Sequence, residues 1–335
     1  MPKKIAINGF GRIGRMVLRA LIESGRSDLE VVAINDLADA KRLSHLLKYD
    51  SLHGRFPASI VAEPNQILVD DKRILCFSES DPAKLPWASL EIDIVMECTG
   101  FFLTQDLSGK HIMAGAKRVL MSAPAKDQTK TIVYGVNDNL IDASDIFISN
   151  ASCTTNALAP VLSVLDKHYG VKSGLMTTIH AYTGDQQLQD GLHKNPIRGR
   201  AGAVSMIPTT TGAAKAIGKV IPKLDGKLDG TAVRVPVPNV SMIDLTVTTD
   251  KTATKERVNE AFLQASQEGL KGVLGYVDEP LVSSDFNHDP HSSSFVENQT
   301  FVNQNKLVRV MAWYDNEWGF SNRMLDTANV ISKFL

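Results

Sequence analysis

Cys153 stands in the stretch SNASCTTNALAP (149–160), between a short apolar run, DIFIS, and a run of helical character, NALAPVLSVLDKHYG. A strand that gives way to a helix at this point puts the thiol at a helix N-terminus. There the macrodipole favours the thiolate, which is the form that attacks an electrophilic carbon. The hydroxyls of SCTTN are suited to cap the new helix. His180 ends a strand-like segment, LMTTIHA, just before a polar loop. An imidazole there could serve a thiol as acid or base, but its position in the chain does not by itself distinguish that role from a structural one. The other two cysteines, Cys76 in RILCFSES and Cys98 in EIDIVMECTGFF, fall within apolar strands and read as small buried hydrophobes.

A second constellation opens the chain. The apolar run KKIAIN leads directly into GFGRIG, with Gly9, Gly11 and Gly14, and then into RIGRMVLRALIES, whose apolar residues recur at the spacing of one helix face. A second strand, LEVVAINDL, ends at Asp36, 22 residues after Gly14. Strand, glycine turn, helix, strand and terminal acid form a dinucleotide fingerprint in its required context. The glycines permit a tight turn and close approach of backbone N–H groups to a pyrophosphate, and the acid binds a ribose hydroxyl. A carboxylate at 36, followed by Leu37 with no adjacent cation, favours NAD over NADP, since it would repel a 2′-phosphate.

These groups need a scaffold. Strands continue at EIDIVMECTGFF, AKRVLMSAPA, TIVYGVN and DIFISNAS with helical pieces between them, which predicts a mainly parallel, doubly wound α/β sheet. Thr99, Gly100 and Ser122 then fall at carboxyl strand ends, where such sheets bind ligands. At 335 residues the chain has room for two domains. A formal net charge of -1 gives no bulk attraction to nucleic acid or anionic lipid, so a substrate anion needs a local basic pocket. Three distant cysteines suggest neither a disulfide framework nor a zinc site. No run approaches the length of a membrane span, and no signal peptide is evident. A reducing, cytoplasmic setting is expected.

Together INGFGRIGR, SNASCTTN, HAYTGDQ, IPTTTGAAKA, RVPVPNVSMIDLTV and WYDNEWGFSNR, in this order and over nearly the whole chain, resemble the phosphorylating glyceraldehyde-3-phosphate dehydrogenases. The resemblance implies a Rossmann-type NAD domain over 1–152 and an α+β catalytic domain with a mixed or antiparallel sheet over 153–316. A C-terminal helix over 317–335 would return to the first domain. It implies that Cys153 attacks an aldehyde of a sugar phosphate, that His180 acts as acid and base and, protonated, helps hold the oxyanion, and that inorganic phosphate cleaves the resulting thioester. Thr183 and Arg234 match the family's site for the substrate phosphate. Ser152, Thr154, Thr211 and Gly212 match its site for inorganic phosphate, with Arg198 assisting. Arg12, Ile13, Asp36, Ser122 and Asn316 match cofactor positions. The sparsely patterned loop from Thr183 to about Ile207 would line a neighbouring subunit's cofactor pocket in a homotetramer.

The chain departs from the family pattern in places. Ala157 replaces a frequent second cysteine, Leu192 replaces a proline common in NAD-using relatives, Pro196 replaces a bulky apolar residue, and Ser80 replaces an arginine near the adenine. His288, Asp289 and His291 in DFNHDPHSS are loop-like, and no metal is expected there. That stretch, with HLLKYDSLHGRF and NRMLDT, also resembles the sister erythrose-4-phosphate dehydrogenases. HKNPIRGR and TTTGAAKA favour the glyceraldehyde-phosphate branch.

Overall fold

In the computed structural model, which describes residues 1–335, KKIAIN forms strand β1 (Lys3–Asn8) and the glycine turn leads into helix α1 (Arg12–Glu23). Met16, Val17, Leu18 and Leu21 on α1 are buried. Strand β2 (Leu29–Asn35) precedes α2 (Ala40–Lys48), whose N-terminus is capped by the Asp39 carboxylate accepting from the Arg42 N–H. An antiparallel extension follows, with β3 (Ile60–Glu63), β4 (Gln66–Val69) and β5 (Lys72–Phe77). Next come β6 (Ile94–Glu97), α3 (Gln105–Met113), β7 (Arg118–Met121), β8 (Lys130–Thr131) and β9 (Phe147–Ser149). The nine strands lie in the order β8-β9-β7-β6-β1-β2-β5-β4-β3. Every pair other than β3–β4 and β4–β5 is parallel. Strand order reverses at β1, so the carboxyl ends of β6, β1 and β2 flank a crevice, the usual ligand position in this architecture.

The second sheet is differently built. Helix α4 (Cys153–Tyr169) precedes β10 (Val171–Ala181), β11 (Ile207–Thr210), α5 (Ala213–Val220), β12 (Leu228–Val235) and β13 (Ser241–Thr249). Then follow α6 (Lys255–Gln267), β14 (Leu274–Val277), β15 (Ser293–Val296), β16 (Leu307–Tyr314) and α7 (Trp318–Ser332). The order is β11-β12-β10-β13-β16-β15-β14, with residues Phe301–Asn303 paired beside β16. Strands β10 and β12 run parallel, as do β14 and β15, and the remaining neighbours are antiparallel. Period-two alternation is clear in β13, where Ser241, Ile243, Leu245, Val247 and Thr249 are buried and the residues between them less so. Helix α4 lies against β10, β13, β15 and β16.

The chain divides into a unit of Met1–Ile132, Asp138–Ala151 and Ser321–Leu335 and a unit of Val133–Asn137 and Ser152–Phe320. The division differs from a linear reading of the sequence in three details. Ser152 begins the second unit rather than ending the first. The short piece 133–137 belongs to the second unit, and the start of α7, through Phe320, does too. The C-terminus is tied into the first unit by Arg26 on Asp326 (2.7 Å), Thr327 on Asn150 (2.7 Å) and Lys3 Nζ on the Leu335 carbonyl (2.7 Å).

Candidate active site

The thiol is placed by a turn and a cap. After β9 the chain passes through Ala151 at φ +58°, a left-handed conformation that costs a residue with a β-carbon. Ser152 is the N-cap of α4, and its hydroxyl accepts from the Thr155 N–H at 3.1 Å. Cys153 is therefore the first residue of a 17-residue helix and receives the field of its N-terminus.

The imidazole comes from the end of β10, where alternation turns both Thr178 and His180 inward. His180 Nε2 lies 3.6 Å from Cys153 Sγ. On the parallel neighbour β12, Arg234 is the register partner of His180. Its Nη1 lies 2.7 Å from His180 Nδ1 and donates to the Ala181 carbonyl at 2.7 Å, while Nδ1 is itself 2.7 Å from that carbonyl. One ring nitrogen cannot serve both neighbours at once. If Nδ1–H donates to Ala181, the lone pair on Nε2 faces the thiol and can take its proton. If Nδ1 accepts from Arg234, Nε2–H faces the sulfur as a donor.

Tyr314, at the end of β16, ties these elements together. Its hydroxyl is 2.9 Å from Thr154 Oγ1 on the thiol helix and 2.9 Å from Thr178 Oγ1 on the imidazole strand. Its ring stands edge-on to His180, with centroids 6.0 Å apart. Burial and the neighbouring Cys153 push the Tyr314 phenol well above its ordinary value, so it remains a neutral hydrogen-bonding group.

The charge state of the pair bears on the expectation that the helix N-terminus favours the thiolate of Cys153. Burial, and next the Arg234 guanidinium, lower His180 to about 3. Burial raises the Cys153 thiol, opposed by Arg234 and by hydrogen bonds from Thr154. A cation already stands beside the imidazole, which makes a second positive charge there costly. In this state His180 is neutral, and the fixed cation near the sulfur is Arg234.

Beside this cluster, Arg198 Nε donates to Thr209 Oγ1 at 3.0 Å, and its Nη1 pairs with Asp185 at 2.8 Å. Gly212 caps α5, the adjacent Thr211 hydroxyl accepts from the Ala213 N–H at 3.2 Å, and a β-carbon at Gly212 would meet nothing within 4 Å. The 183–207 loop has one helical turn, Pro196–Gly199, and is braced by Asp190–Arg200 and by the Gly191 N–H on the Gly199 carbonyl (2.8 Å). Leu188 and Leu192 on this loop are almost fully exposed.

The first unit holds a cavity of about 490 Å³ at its carboxyl strand ends, lined by Gly9, Gly11, Asp36 and Leu37, by Glu79, Ser80 and Pro82, and by Cys98, Thr99, Phe101 and Phe102. The three fingerprint glycines have separate reasons. Gly9 has φ +90°, and a β-carbon there would meet the Thr99 nitrogen at 2.7 Å. At Gly14 a β-carbon would lie 2.2 Å from the Gly9 carbonyl oxygen, so this glycine lets α1 close onto the turn. At Gly11, the N-cap of α1, there is open space, as a site for close approach of a ligand requires. Asp36 accepts from the Phe10 N–H at 2.8 Å, which fixes its carboxylate beside the glycine turn.

Comparison with known proteins decides the family. The glyceraldehyde 3-phosphate dehydrogenase NAD binding domain matches residues 3–105, and the glyceraldehyde 3-phosphate dehydrogenase C-terminal domain matches residues 152–316. The chain is 55% identical over 333 residues to glyceraldehyde-3-phosphate dehydrogenase of Xanthobacter flavus, covering 99% of each chain. It is 55% identical over 335 residues to that of Cereibacter sphaeroides, covering 100% of each. The chain belongs to the glyceraldehyde 3-phosphate dehydrogenase family. It is an NAD-dependent oxidoreductase, and the cavity of the first unit, with its open Gly11 and anchored Asp36, fits that cofactor.

Of the residues that the family resemblance singles out, the structure gathers Cys153, His180, Arg234 and Thr154 into one cluster, with Arg198 beside it. Several of these side chains have partners within the chain. The Ser152 hydroxyl caps α4, the Thr154 hydroxyl is held by Tyr314, and Arg12 pairs with Asp50. Despite burial, Asp50 is lowered to about 2, with Arg12 the strongest opposing influence. Ile13 and Ser122 do not line the cavity. Asn316 belongs to the second unit, where its Oδ1 accepts from Ser241, whose oxygen accepts from the Ala181 N–H. Thr183 accepts through its carbonyl from the Gln186 N–H. Cys76 is buried as expected, but Cys98 is only half-buried and lines the cavity, its thiol raised to about 12 by burial and then by Glu97. Asp289 is satisfied by His291 (2.6 Å) and Ser294 (2.7 Å), and no group of three or more His, Cys, Asp or Glu side chains is arranged to hold a metal. Tyr314 and Thr178 went unmarked in the sequence. The alternation that marks His180 also marks Thr178, whereas Tyr314 is apparent only once β16 is paired.

Proposed function

We propose that the chain oxidises glyceraldehyde 3-phosphate to 1,3-bisphosphoglycerate, with inorganic phosphate as the second substrate. The observation that carries this reading is the 3.6 Å approach of His180 Nε2 to Cys153 Sγ at a helix N-terminus, with Arg234 against the imidazole. The sulfur attacks the aldehyde carbon, the carbonyl π bond opens, and the thiol proton passes to Nε2 of neutral His180. The new imidazolium and the N-terminal N–H groups of α4 hold the oxygen of the hemithioacetal. NAD, when bound, supplies the hydride acceptor for the oxidation of that adduct to a thioester. A phosphate oxygen then attacks the thioester carbonyl, the C–S bond breaks, and the thiolate leaves and recovers its proton from His180. Arg234 and Arg198 suit the two phosphate groups because a guanidinium meets a phosphate through paired donors. Gly212, with open space at the start of α5, suits an anion as well.

The exposed Leu188, Leu192, Val204 and Met206 on one loop support a homotetramer in which that loop is covered by another subunit. No helix is long and apolar enough to cross a membrane. A nucleophilic thiol needs a reducing setting, which supports a cytoplasmic location. The test is NADH formation from a panel of aldehydes with and without phosphate, together with light scattering for the oligomer. A phosphate requirement and the highest kcat/KM for glyceraldehyde 3-phosphate are expected. A higher kcat/KM for erythrose 4-phosphate, or full turnover without phosphate, overturns the assignment.

A further inference from the structure

The carboxyl ends of three neighbouring strands carry a row of buried polar residues. Glu97 ends β6, Asn8 ends β1 and Asn35 ends β2, and they are register partners: Asn8 opposite Glu97 and Asn8 opposite Asn35. The side chains are joined in the same order. Asn8 Nδ2 donates to Glu97 Oε2 at 2.6 Å, and Asn35 Nδ2 donates to Asn8 Oδ1 at 2.7 Å. Asn35 then binds Glu79 at both ends of its amide: Nδ2 to the carbonyl at 2.9 Å, and the Glu79 N–H to Oδ1 at 2.9 Å. At the other end, Glu97 Oε1 accepts from the Thr99 N–H at 2.7 Å and from the Thr99 hydroxyl. Both Glu79 and Thr99 line the cavity of the first unit.

The Glu97 carboxylate is fully buried, and no Lys or Arg is among its partners. Its remaining donor is His111, with Nε2 at 3.2 Å from Oε2. The Trp87 indole N–H, which can only donate, points at His111 Nδ1 from 3.1 Å. Nδ1 therefore accepts, and Nε2 carries the proton that faces Glu97. A buried carboxylate so enclosed by donors is fixed in direction, because turning it would strand several of them at once. The Thr99 hydroxyl also accepts from the Phe101 N–H at 3.1 Å, which shapes the turn that brings the exposed Phe101 ring to the cavity. Thr99 in turn packs on Gly9 so closely that a β-carbon at 9 would overlap it.

We infer that Glu97 is a positioning residue for the coenzyme: through Asn8 and Asn35 on one side and Thr99 on the other, it holds both walls of the cavity and the glycine turn in register. The inference rests on the coenzyme occupying this cavity. Calorimetric titration of NAD into Glu97→Gln tests it. The amide keeps the volume but aims N–H groups at donors. An NAD Kd raised about tenfold is expected, with kcat at saturating NAD within about twofold of the parent. In Asn8→Asp combined with Glu97→Gln, the negative charge moves one strand sideways, where the new amide at position 97 and the Asn35 amide can both donate to it. Most of the lost affinity should return, which a loss of packing alone would not allow. A parental Kd in folded Glu97→Gln, or no recovery in the double variant, overturns the inference. If Glu97→Gln does not fold, Thr99→Val should raise the Kd about threefold, and a parental Kd there overturns it equally. Asp36→Ala separates the two ideas. If it leaves NAD affinity unchanged, the cavity itself is not the coenzyme site.

Discussion

The first unit's cavity and the second unit's thiol cluster do comparable work with different materials. The cavity is built mainly from backbone: a glycine with open space at a helix start, a turn closed by Gly14 against the Gly9 carbonyl, and strand ends that fall together because neighbouring parallel strands stop together. The thiol cluster is built from side chains that approach from distant positions. Cys153 comes from a helix start, His180 and Arg234 from registered strand positions, and Tyr314 from a strand 160 residues beyond Thr154. Substitutions in the cavity should therefore act through shape and affinity. Substitutions in the cluster should act through charge and rate.

The sharpest way to break that division is at the sulfur. Cys153→Ser should lower kcat by at least about 1000-fold, because the alcohol is a poorer nucleophile here and its ester resists phosphorolysis. NAD affinity should stay within about twofold. His180→Asn should lower kcat by roughly 100- to 1000-fold and slow alkylation of Cys153 near neutral pH. Rapid-quench kinetics and iodoacetamide labelling measure both effects, and an unchanged labelling rate in His180→Asn would remove that residue from thiol activation.

Arg234→Leu tests the charge side. Losing a guanidinium that suits a substrate phosphate should reduce kcat/KM for the phosphorylated aldehyde by about 100-fold. It should also alter the acid limb of stability. His180 is lowered to about 3 in the folded protein against an ordinary value of 6.5, so between those pH values the unfolded chain binds the extra proton. Stability then rises with pH across that window and is lost as pH falls. Without Arg234, burial still lowers His180 but the second cause is gone, so the window narrows and less stability is lost across it. Urea melts from about pH 3 to 7 on Arg234→Leu and the parent would show it, and identical pH profiles would exclude Arg234 as a cause.

How much of each site could be read in advance follows from how each is built. The glycine turn, Asp36 and the alternating strands and helices are local patterns, and the doubly wound sheet follows from them. Cys153 at a strand-to-helix junction is local as well. The partnership of Cys153 with His180 is not, since it depends on which strand lies beside α4, and the family resemblance rather than the residue pattern pointed to it. The engagement of Arg12 by Asp50, of the Thr154 hydroxyl by Tyr314 and of Ser152 as a helix cap required the fold. Each of these side chains had more than one chemically reasonable partner, and only packing chooses between them. The Glu97–Asn8–Asn35 row was hidden for a related reason: three polar residues at strand ends form one row only once the strands are registered.

Two glycines sharpen the comparison within the cavity. Gly14→Ala drives a β-carbon into the Gly9 carbonyl at 2.2 Å, so α1 must shift, at about 1–3 kcal/mol of stability, and NAD affinity should fall with it. Gly11→Ala meets no atom within 4 Å. It should melt within a few degrees of the parent yet bind NAD about tenfold more weakly, because its methyl group enters the space a pyrophosphate needs. Thermal melts with parallel NAD titrations distinguish them. Equal melting losses in the two variants would mean that the turn tolerates no side chain at either position and that open space at Gly11 has no functional meaning.

The smallest effect expected within the thiol cluster is at Tyr314. Tyr314→Phe keeps the ring edge against His180 but removes the hydroxyl that joins Thr154 to Thr178. Those two buried hydroxyls each lose a partner, which should cost about 1–3 kcal/mol of stability. The functional loss should be smaller and specific. With its ties to both β10 and β16 removed, the start of α4 can drift relative to β10, lengthening the 3.6 Å approach of sulfur to imidazole. A drop in kcat of about three- to tenfold with KM for the aldehyde nearly unchanged is expected, because near-attack geometry is affected and the groups suited to the aldehyde's own phosphate are not. A rise in KM with kcat preserved would place the Tyr314 hydroxyl among substrate-binding groups instead. No change in either, alongside the stability loss, would mean that α4 and β10 are held in register by their packing alone and that the hydroxyl bridge contributes only to folding.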